Sequence, residues 1–483
     1  MLKDTVHRAA LINLIPKLLR FMFPEILVVG GAVRDTLLGQ TPKDIDFTGP
    51  YTAAAIILAF KELKSYRWSA HRLNATYDTT IIVCGDERYE YTPFRLDVQP
   101  DGRQTDSIPV DSIEEDLSRR DLTVNAMASN IDGDLIDVHG GYEDIQNKIL
   151  KAVGDPLVRV REDYSRGLRL PYFADRLGFT IDPATTVMIH AVVGQLAYVG
   201  AGTPDTLKAE LVVKIFNKVF DLGEGHGGVF LTLLLKHSAF AHSYAVIADS
   251  EQNMQEVDSF WYLFHKMNEL RHNPKYHNDN PAVHTFRVVN DCATRAGKWA
   301  ALFHDIGKAI EYQETEDDWE TFTFHDRHSE LVETIGERLR LPTDTIHKCM
   351  KVHENHMQVK QMEKKSKIRR MQVAMGKDLA VLEEVSRADA GPNKPFNEAP
   401  FVLIPEEITP VLMGKHLLAR GIEPGVVLGN RLRYAFYHQI EYGITDLEEL
   451  ESIAYNVDVP LLETWIRQML AFPVQMATLT QRG

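Results

Sequence analysis

The spacing of apolar residues changes along this chain. Up to about residue 150 they come in short β-branched or alternating runs, Ile26-Leu-Val-Val29, Thr79-Thr-Ile-Ile-Val83 and Arg88-Tyr-Glu90-Tyr-Thr92, which predict strands. The first run stops at Gly30-Gly31 and passes into Ala-Val33-Arg34-Asp35-Thr-Leu-Leu, so a buried strand, a tight turn and a helix follow one another. Pro42-Lys-Asp44-Ile45-Asp46-Phe47 alternates; in an extended conformation Asp44 and Asp46 share one face while Ile45 and Phe47 point to the core. An amphipathic helix is expected over Leu11 to Phe23, and another helix around Thr52 to Lys64. Beyond Gly154-Asp155-Pro156 the spacing is helical. Val158 to Arg169, running on to Phe179, reads as a helix on which Asp163 and Arg166 share a face, with Pro171 placed to kink it. Glycines and Pro424 between Gly414 and Gly429 punctuate a helical end that includes Asp446 to Ile453.

Clusters of polar residues give this pattern a chemistry. The glycine turn aims backbone N–H groups at an anion, because Gly30 and Gly31 let the chain approach a phosphate and the following helix start favours negative charge. Neither a Lys-Ser/Thr pair nor Gly-x-Gly-x-x-Gly accompanies it, which excludes a P-loop and a dinucleotide fingerprint. Asp44 and Asp46 side by side can hold two divalent cations that clamp a triphosphate and activate an attacking hydroxyl. Arg119-Arg120 beside Asp121 and Asn125 can bind triphosphate oxygens bidentately and discriminate a ribose. In the second half His284, His304-Asp305 and Asp389 suit an octahedral divalent ion with open positions for phosphate and water. His325, His328, His353 and His356 are candidates for a second metal or for phosphate contacts. Each pattern has a plainer reading when taken alone: a solvated strand face, a surface ion pair, ordinary core histidines. Their order along one chain favours the chemical reading.

Composition narrows the setting. With 483 residues, 44% hydrophobic and 25% charged, the chain can form two to four domains with proper cores. A net charge of −15 means that any nucleic-acid contact needs a local basic face. Two stretches offer one: Arg159, Arg161, Arg166 and Arg169, and the run from Lys360 to Arg370 with Lys364, Lys365, Lys367 and Arg369. Cys84, Cys292 and Cys349 lie far apart without a Cys-x-x-Cys, which excludes a disulfide framework and fits a reducing cytoplasm. Leu11 to Phe23 is broken by Pro16, Lys17 and Arg20 and lacks a small-residue cleavage site, so no signal peptide is expected, and no apolar segment approaches a membrane span.

Gly30-Gly31-x-Val33-Arg34-Asp35 followed by Asp44-x-Asp46, then Glu115-Asp116-Leu117-Ser-Arg119-Arg120-Asp121-Leu-Thr-Val-Asn125 and Glu162-Asp163-x-x-Arg166, resembles the class II tRNA nucleotidyltransferases, the CCA-adding enzymes and their bacterial poly(A) polymerase relatives. His284, His304-Asp305 and Asp389 resemble the HD phosphohydrolase superfamily. The resemblance implies an α+β protein: a mixed-sheet nucleotidyltransferase head followed by an all-helical neck, HD body and tail. The expected divisions are an N-terminal helix over 1–24, the head over 25–153, the neck over 154–225, the HD domain over 226–395 and the tail over 396–483. It further implies catalysis by Asp44 and Asp46 with Mg²⁺, Glu90 as a third metal carboxylate, and a divalent metal of unspecified identity at the HD site. Nucleotide binding falls to Gly30, Gly31, Arg34, Arg119, Arg120, Asp121, Asn125, Glu162, Asp163, Arg166 and Arg169. Asp163 would accept from the exocyclic amine of cytosine or adenine while Arg166, oriented by Glu162, donates to ring acceptors, so that CTP and ATP are chosen without a template. Arg95-Leu-Asp97 through Arg103 corresponds to a flexible loop used when specificity switches from C to A. The implied partner is tRNA, gripped at its elbow by the helical tail. Two departures stand out: Tyr172 occupies a position where relatives commonly have arginine, and Thr203-Pro-Asp-Thr-Leu-Lys-Ala-Glu210 lacks the arginine usual in the last motif. A poly(A) polymerase, an enzyme adding only CC or only A, and, from another class, an HD phosphohydrolase with an inert head remain open, and the oligomeric state is not fixed.

Overall fold

The computed structural model describes residues 5–65, 67–98, 106–196, 207–237, 260–275, 279–316, 319–391, 395–403 and 409–470. They fall into two compact units, Met1–Phe286 with Thr315–Glu320 and Thr334–Leu341, and Arg287–Glu314 with Thr321–Glu333 and Pro342–Gly483.

The first unit opens with two helices rather than one, α1 (Thr5–Asn13) and α2 (Lys17–Met22). Pro16 caps the second, where a ring without an N–H is tolerated, and for the same reason cannot extend the first. Strand β1 (Leu27–Val29) is buried along its whole length, as its β-branched run predicts, and turns at Gly30 into α3 (Gly31–Leu37). β2 (Asp46–Gly49) begins at Asp46, so Asp44 lies just before the strand and not within it. Next come α4 (Ala53–Leu63), β3 (Trp68–Asn74), β4 (Thr79–Cys84) and β5 (Glu87–Pro93). Thr52 caps α4 by accepting from Ala55 N at 3.2 Å, and Lys64 ends it in a left-handed conformation. Arg95-Leu-Asp97, expected in a loop, is instead strand β6 (Arg95–Val98), paired antiparallel with β7 (Asp106–Pro109); residues 99–105 lie outside the described residues. β8 (Ala128–Ser129) and β9 (Leu135–Ile136) complete a seven-stranded sheet of order β3-β4-β5-β2-β1-β8-β9. β1 is antiparallel to β2 and β8 while β2 is parallel to β5, so the sheet is mixed, as expected for the α+β class.

After α5 (Ile113–Ser118) and α6 (Gly141–Asn147) the unit becomes helical, with α7 (Pro156–Glu162), α8 (Ser165–Leu177), α9 (Val187–Leu196), α10 (Ala209–Phe220) and α11 (Gly228–Lys236). The single helix expected from Val158 to Phe179 is two. The chain extends at Asp163 (φ −154°, ψ 105°), the C-cap of α7, whose carboxylate accepts from Ser165 N at 2.8 Å just ahead of α8, so Asp163 and Arg166 do not share a helical face. Pro171 sits within α8 without ending it. Gly167 lets α8 lie directly on α9, since a Cβ there would come within 2.4 Å of the Met188 carbonyl oxygen. α10 buries Val212, Phe216 and Phe220, each aromatic ring contributing about 2–3 kcal/mol, with Phe216 edge-on to Phe230 of α11 at 5.0 Å. Lys214 and Lys218 remain on its exposed side. Thr203 to Thr206, from the last expected motif, lie outside the described residues.

In the second unit the helices Arg295–Phe303, Thr343–Val359 and Leu379–Ala390 pack on one another. Further along, Gly414–Ala419, Val426–Tyr442 and Leu447–Asn456 enclose Leu412, Leu417, Ala435, Leu450 and Ala454. Among the described residues no helix is long and apolar enough to cross a membrane.

Candidate active sites

Three carboxylates gather where β2 begins. The register of the sheet sets Asp46 opposite Val29 on β1 and opposite Glu90 on β5, with Asp44 two residues ahead and all three carboxylates exposed. Although Asp46 reaches solvent, the protein crowded around it raises its pKa most, Glu90 and Asp44 add to the rise, and Arg120 and Lys218 oppose it. Like charges held this close favour a multivalent cation among them, and the oxygen donors suit a hard divalent ion. Gly30 (φ +69°) lies directly under Arg120: a Cβ at this position would come 2.9 Å from a guanidinium nitrogen. Lys218, on the exposed side of α10, was not singled out from sequence. Its pKa is lowered by burial, then by Arg169 and Lys214, while Asp44 and Asp46 pull it up, so its ammonium shares the field of the carboxylates.

The expected nucleotide-binding arginines form two ion-paired groups, one around Asp116, Asp97 and Glu162 and one around Asp121. Asp116, almost fully buried, accepts from Arg119 at 3.0 and 2.8 Å and from Arg120 at 3.0 Å; burial would raise its pKa, but the two arginines hold it low. Arg166 Nη1 donates to Glu162 Oε2 at 2.5 Å, and its Nη2 lies 3.5 Å from Asp97 Oδ2. Glu162 also takes Arg159 at 2.9 Å, and Asp97 lies 3.6 Å from Arg95 and 3.8 Å from Arg119. Arg166 is therefore gripped by a neck glutamate and by a head aspartate that sequence reasoning had assigned to a loop. Asp121 accepts from Leu122 N at 2.8 Å and Asn125 Nδ2 at 3.2 Å and pairs with Arg169 at 2.9 Å. Burial would raise Asp121, but Arg169 and Arg166 keep it low. Arg34 is buried, donates to Asp35 at 2.8 and 2.7 Å and to Asn125, and lies 5.0 Å over the Phe173 ring. It fixes the turn from within and does not face solvent. Arg120 Nε is buried and makes no hydrogen bond among the described residues, while Asp97 Oδ1 and Arg95 Nη1 meet only each other at 3.6 Å, which suits a site completed by a polar ligand.

The second unit holds a different centre. His304 ends the helix Arg295–Phe303, His325 opens a short 3-10 turn, His353 and His356 lie on Thr343–Val359, and Asp389 lies on Leu379–Ala390. Asp305 Oδ1 is 3.1 Å from His325 Nε2 and 3.4 Å from His356 Nε2, while Oδ2 is 3.2 Å from His304 Nε2 and accepts from Lys308 Nζ at 2.7 Å. Each histidine is anchored through Nδ1 on a backbone carbonyl: His304 on Ala301 at 2.7 Å, His325 on Phe322 at 3.0 Å, His353 on Phe303 at 3.0 Å and His356 on His353 at 2.8 Å. That arrangement places the proton on Nδ1 and leaves the Nε2 lone pair as a metal ligand. Burial pushes His353 down to about 4 and His356 down to about 3, so both are neutral, as ligands must be. Burial would lower His304 as well, but Asp305 beside it reverses the sign and is itself held far below the carboxylate range by His304 and Lys308. The ligand atoms of Asp305, His325 and His356 lie within 4.8 Å of one another and fit a divalent ion. His328 pairs with Glu311 at 3.4 Å instead. His284, on the helix Pro281–Asp291 in the first unit, is buried with its ring 5.7 Å from that of His272.

Comparison with known proteins agrees with this two-part architecture. Residues 26–151 match the poly A polymerase head domain family and residues 282–389 the HD domain family. A multifunctional CCA protein of Nitrosococcus oceani is 31% identical over 327 residues, 66% of this chain and 71% of its own. The counterpart in Pseudomonas paraeruginosa is 30% identical over 351 residues, 69% of this chain and 74% of its own. The solved Bacillus stearothermophilus CCA-adding enzyme in complex with CTP superposes with a TM-score of 0.61 at 20% identity, covering 97% of this chain and 100% of that one. A Thermotoga maritima CCA-adding enzyme complexed with tRNA gives 0.55 at 17% identity, covering 92% and 97%. At those identities the solved structures speak to the fold, and the two longer sequence matches to kinship: the chain belongs to the family of CCA-adding enzymes.

Proposed function

We propose that this protein adds CMP and AMP, taken from CTP and ATP, to the 3′ end of tRNA without a template, releasing pyrophosphate. The observation that carries the reading is the register of β2, which sets Asp46 against Glu90 with Asp44 beside them. These three residues would hold Mg²⁺, which when bound draws in the triphosphate and activates the primer hydroxyl. The surrounding side chains take the other tasks. Arg120 and Lys218 bring positive charge to the carboxylates, and with Arg169, paired to Asp121 and lying near Lys218, they offer donors to triphosphate oxygens. Arg34, Asp121 and Asn125 fix one another and so fix the turn that the nucleotide approaches. Asp163 offers an acceptor and Arg166, oriented by Glu162 and Asp97, offers a fork of donors. Together they match the amine and ring acceptors of cytosine and adenine and oppose those of uracil and guanine. The CTP and tRNA complexes among the structural neighbours support the same partners, and a tRNA substrate favours a cytoplasmic location. The test is addition of labelled CTP and ATP to tRNA lacking its 3′ end by Asp44→Ala and Asp46→Ala. Both activities are lost together if one centre serves both nucleotides; near-normal turnover in either variant sinks the reading.

The anchored histidines favour a second activity, metal-dependent hydrolysis of a phosphoester. His304, Asp305 and Asp389 would hold the ion, with His325 and His356 at a second position. Hydrolysis of 2′,3′-cAMP with added Ni²⁺, Mn²⁺, Co²⁺ or Mg²⁺, lost in His304→Ala, tests it; no hydrolysis by the unaltered protein with any of these ions removes it.

A further inference from the structure

The two carboxylates of the helical centre are each held by a lysine, and the two lysines differ. Lys308 donates to Asp305 Oδ2 at 2.7 Å from within the 3-10 helix Ile306–Ala309, its side chain 8% exposed. Lys360 Nζ lies 2.7 Å from Asp389 Oδ2, but its side chain is 40% exposed, and it is the C-cap of the helix Thr343–Val359. The first lysine is part of the core. The second reaches in from the surface along a flexible stem and can withdraw without opening apolar packing. Asp389 is buried at 3% side-chain exposure, so an ion that binds it must contend with the ammonium already there. Two cations sharing one carboxylate oxygen compete for its lone pairs and repel each other.

We propose that Lys360 is a displaceable counter-ion of this centre: a divalent ion taking Asp389 releases the Lys360 ammonium, which then binds a phosphoryl oxygen of the substrate. The proposal rests on the phosphohydrolase reading above. Charge favours the exchange. Asp305 and Asp389 are balanced by Lys308 and Lys360, so an entering divalent ion leaves an excess of two positive charges, the complement of a phosphate dianion. Lys360, on its surface-borne stem, can follow that dianion; Lys308, enclosed beside Asp305, cannot.

The test titrates Mn²⁺ by calorimetry into the full-length protein and into Lys360→Met, with His304→Ala as the reference for ions bound elsewhere, and then titrates inorganic phosphate into the Mn²⁺-saturated proteins. Lys360→Met is expected to bind Mn²⁺ at this centre about tenfold more tightly, and phosphate about tenfold more weakly, with Lys360→Arg restoring phosphate binding. Lys360→Gln carries the same expectations if Lys360→Met does not fold. Mn²⁺ affinity within twofold of the unaltered protein, or unchanged phosphate affinity, overturns the proposal while leaving the hydrolase reading intact. If no His304-dependent Mn²⁺ binding occurs in any of these proteins, the proposal falls, and the hydrolase reading falls with it only if the unaltered protein also hydrolyses nothing with Ni²⁺, Co²⁺ or Mg²⁺.

Discussion

In the head, Asp44, Asp46 and Glu90 stand open to solvent at the start of a strand, and their charge is met from a distance by Arg120 and Lys218. In the helical unit Asp305 and Asp389 are buried and each touches a lysine, and the nitrogen donors are locked by backbone carbonyls. Each arrangement suits its reactant. An open cluster of oxygens can exchange ions and accept a bulky triphosphate together with an RNA end, at the cost of carboxylates that repel one another until a cation arrives. A buried cluster of imidazoles tied through Nδ1 to backbone carbonyls is set in advance for a softer ion and admits only what fits beside it.

The largest expected effect separates the two sites. Asp46→Ala should lower addition of both C and A by about a thousandfold or more while leaving phosphoester hydrolysis unchanged, and His304→Ala should do the reverse, both read with labelled nucleotide and with 2′,3′-cAMP on the same preparations. A variant that lost both activities at full solubility would dissolve the distinction. Asp163→Ala should leave the chemistry but relax the choice of CTP and ATP over UTP and GTP by about 10–100-fold, measured as ratios of kcat/KM, because it removes an acceptor for the amine and no phosphate contact. Asp97→Asn should cost less, about tenfold in kcat/KM, since Arg166 keeps its bond to Glu162. If it costs nothing, the head hairpin does not orient the reading arginine.

The smallest effect is one of pH, and it belongs to the helical unit. With His353 held to about 4 and His356 to about 3 against an ordinary 6.5, the unfolded chain takes up protons between those values that the native unit refuses. Their contribution to stability is complete above about pH 6.5 and is lost as the pH falls toward 4. The melting temperature of the chelator-treated protein should drop by about 3 °C or more between pH 7 and pH 5, and His353→Gln should flatten the dependence. A melting temperature that rose on acidification would contradict the neutral histidines.

How much of this was legible in the sequence depended on the range of the contacts. The glycine turn sits in a local string, and β1, α4, β4 and β5 follow from periodicity; Glu90 and the His-Asp pattern, spread from residue 284 to 389, depend on order along the chain and on resemblance. Asp116 could have been found, since it lies three and four residues before Arg119 and Arg120 at the end of one helix. Asp97 could not, because its tie to Arg166 joins a head hairpin to a neck helix and leaves no periodic trace. Lys218 was hidden for the same reason. The break at Asp163 has a local signal: an aspartate two residues before a serine can accept from the backbone N–H two residues on and hold an extended turn, as it does here between α7 and α8. His325 rather than His328 faces Asp305 because the short turn at 325–327 aims the first inward and leaves the second beside Glu311.

The most direct measurement of the central claim is the intact mass of a tRNA transcript ending at its discriminator base after incubation with the protein, CTP and ATP. The account predicts a gain of two cytidylates and one adenylate and then a stop, because Asp163 and Arg166 choose the base while the growing 3′ end, not a template, sets the count. A ladder of adenylates with no cytidylate would make the protein a poly(A) polymerase and contradict it.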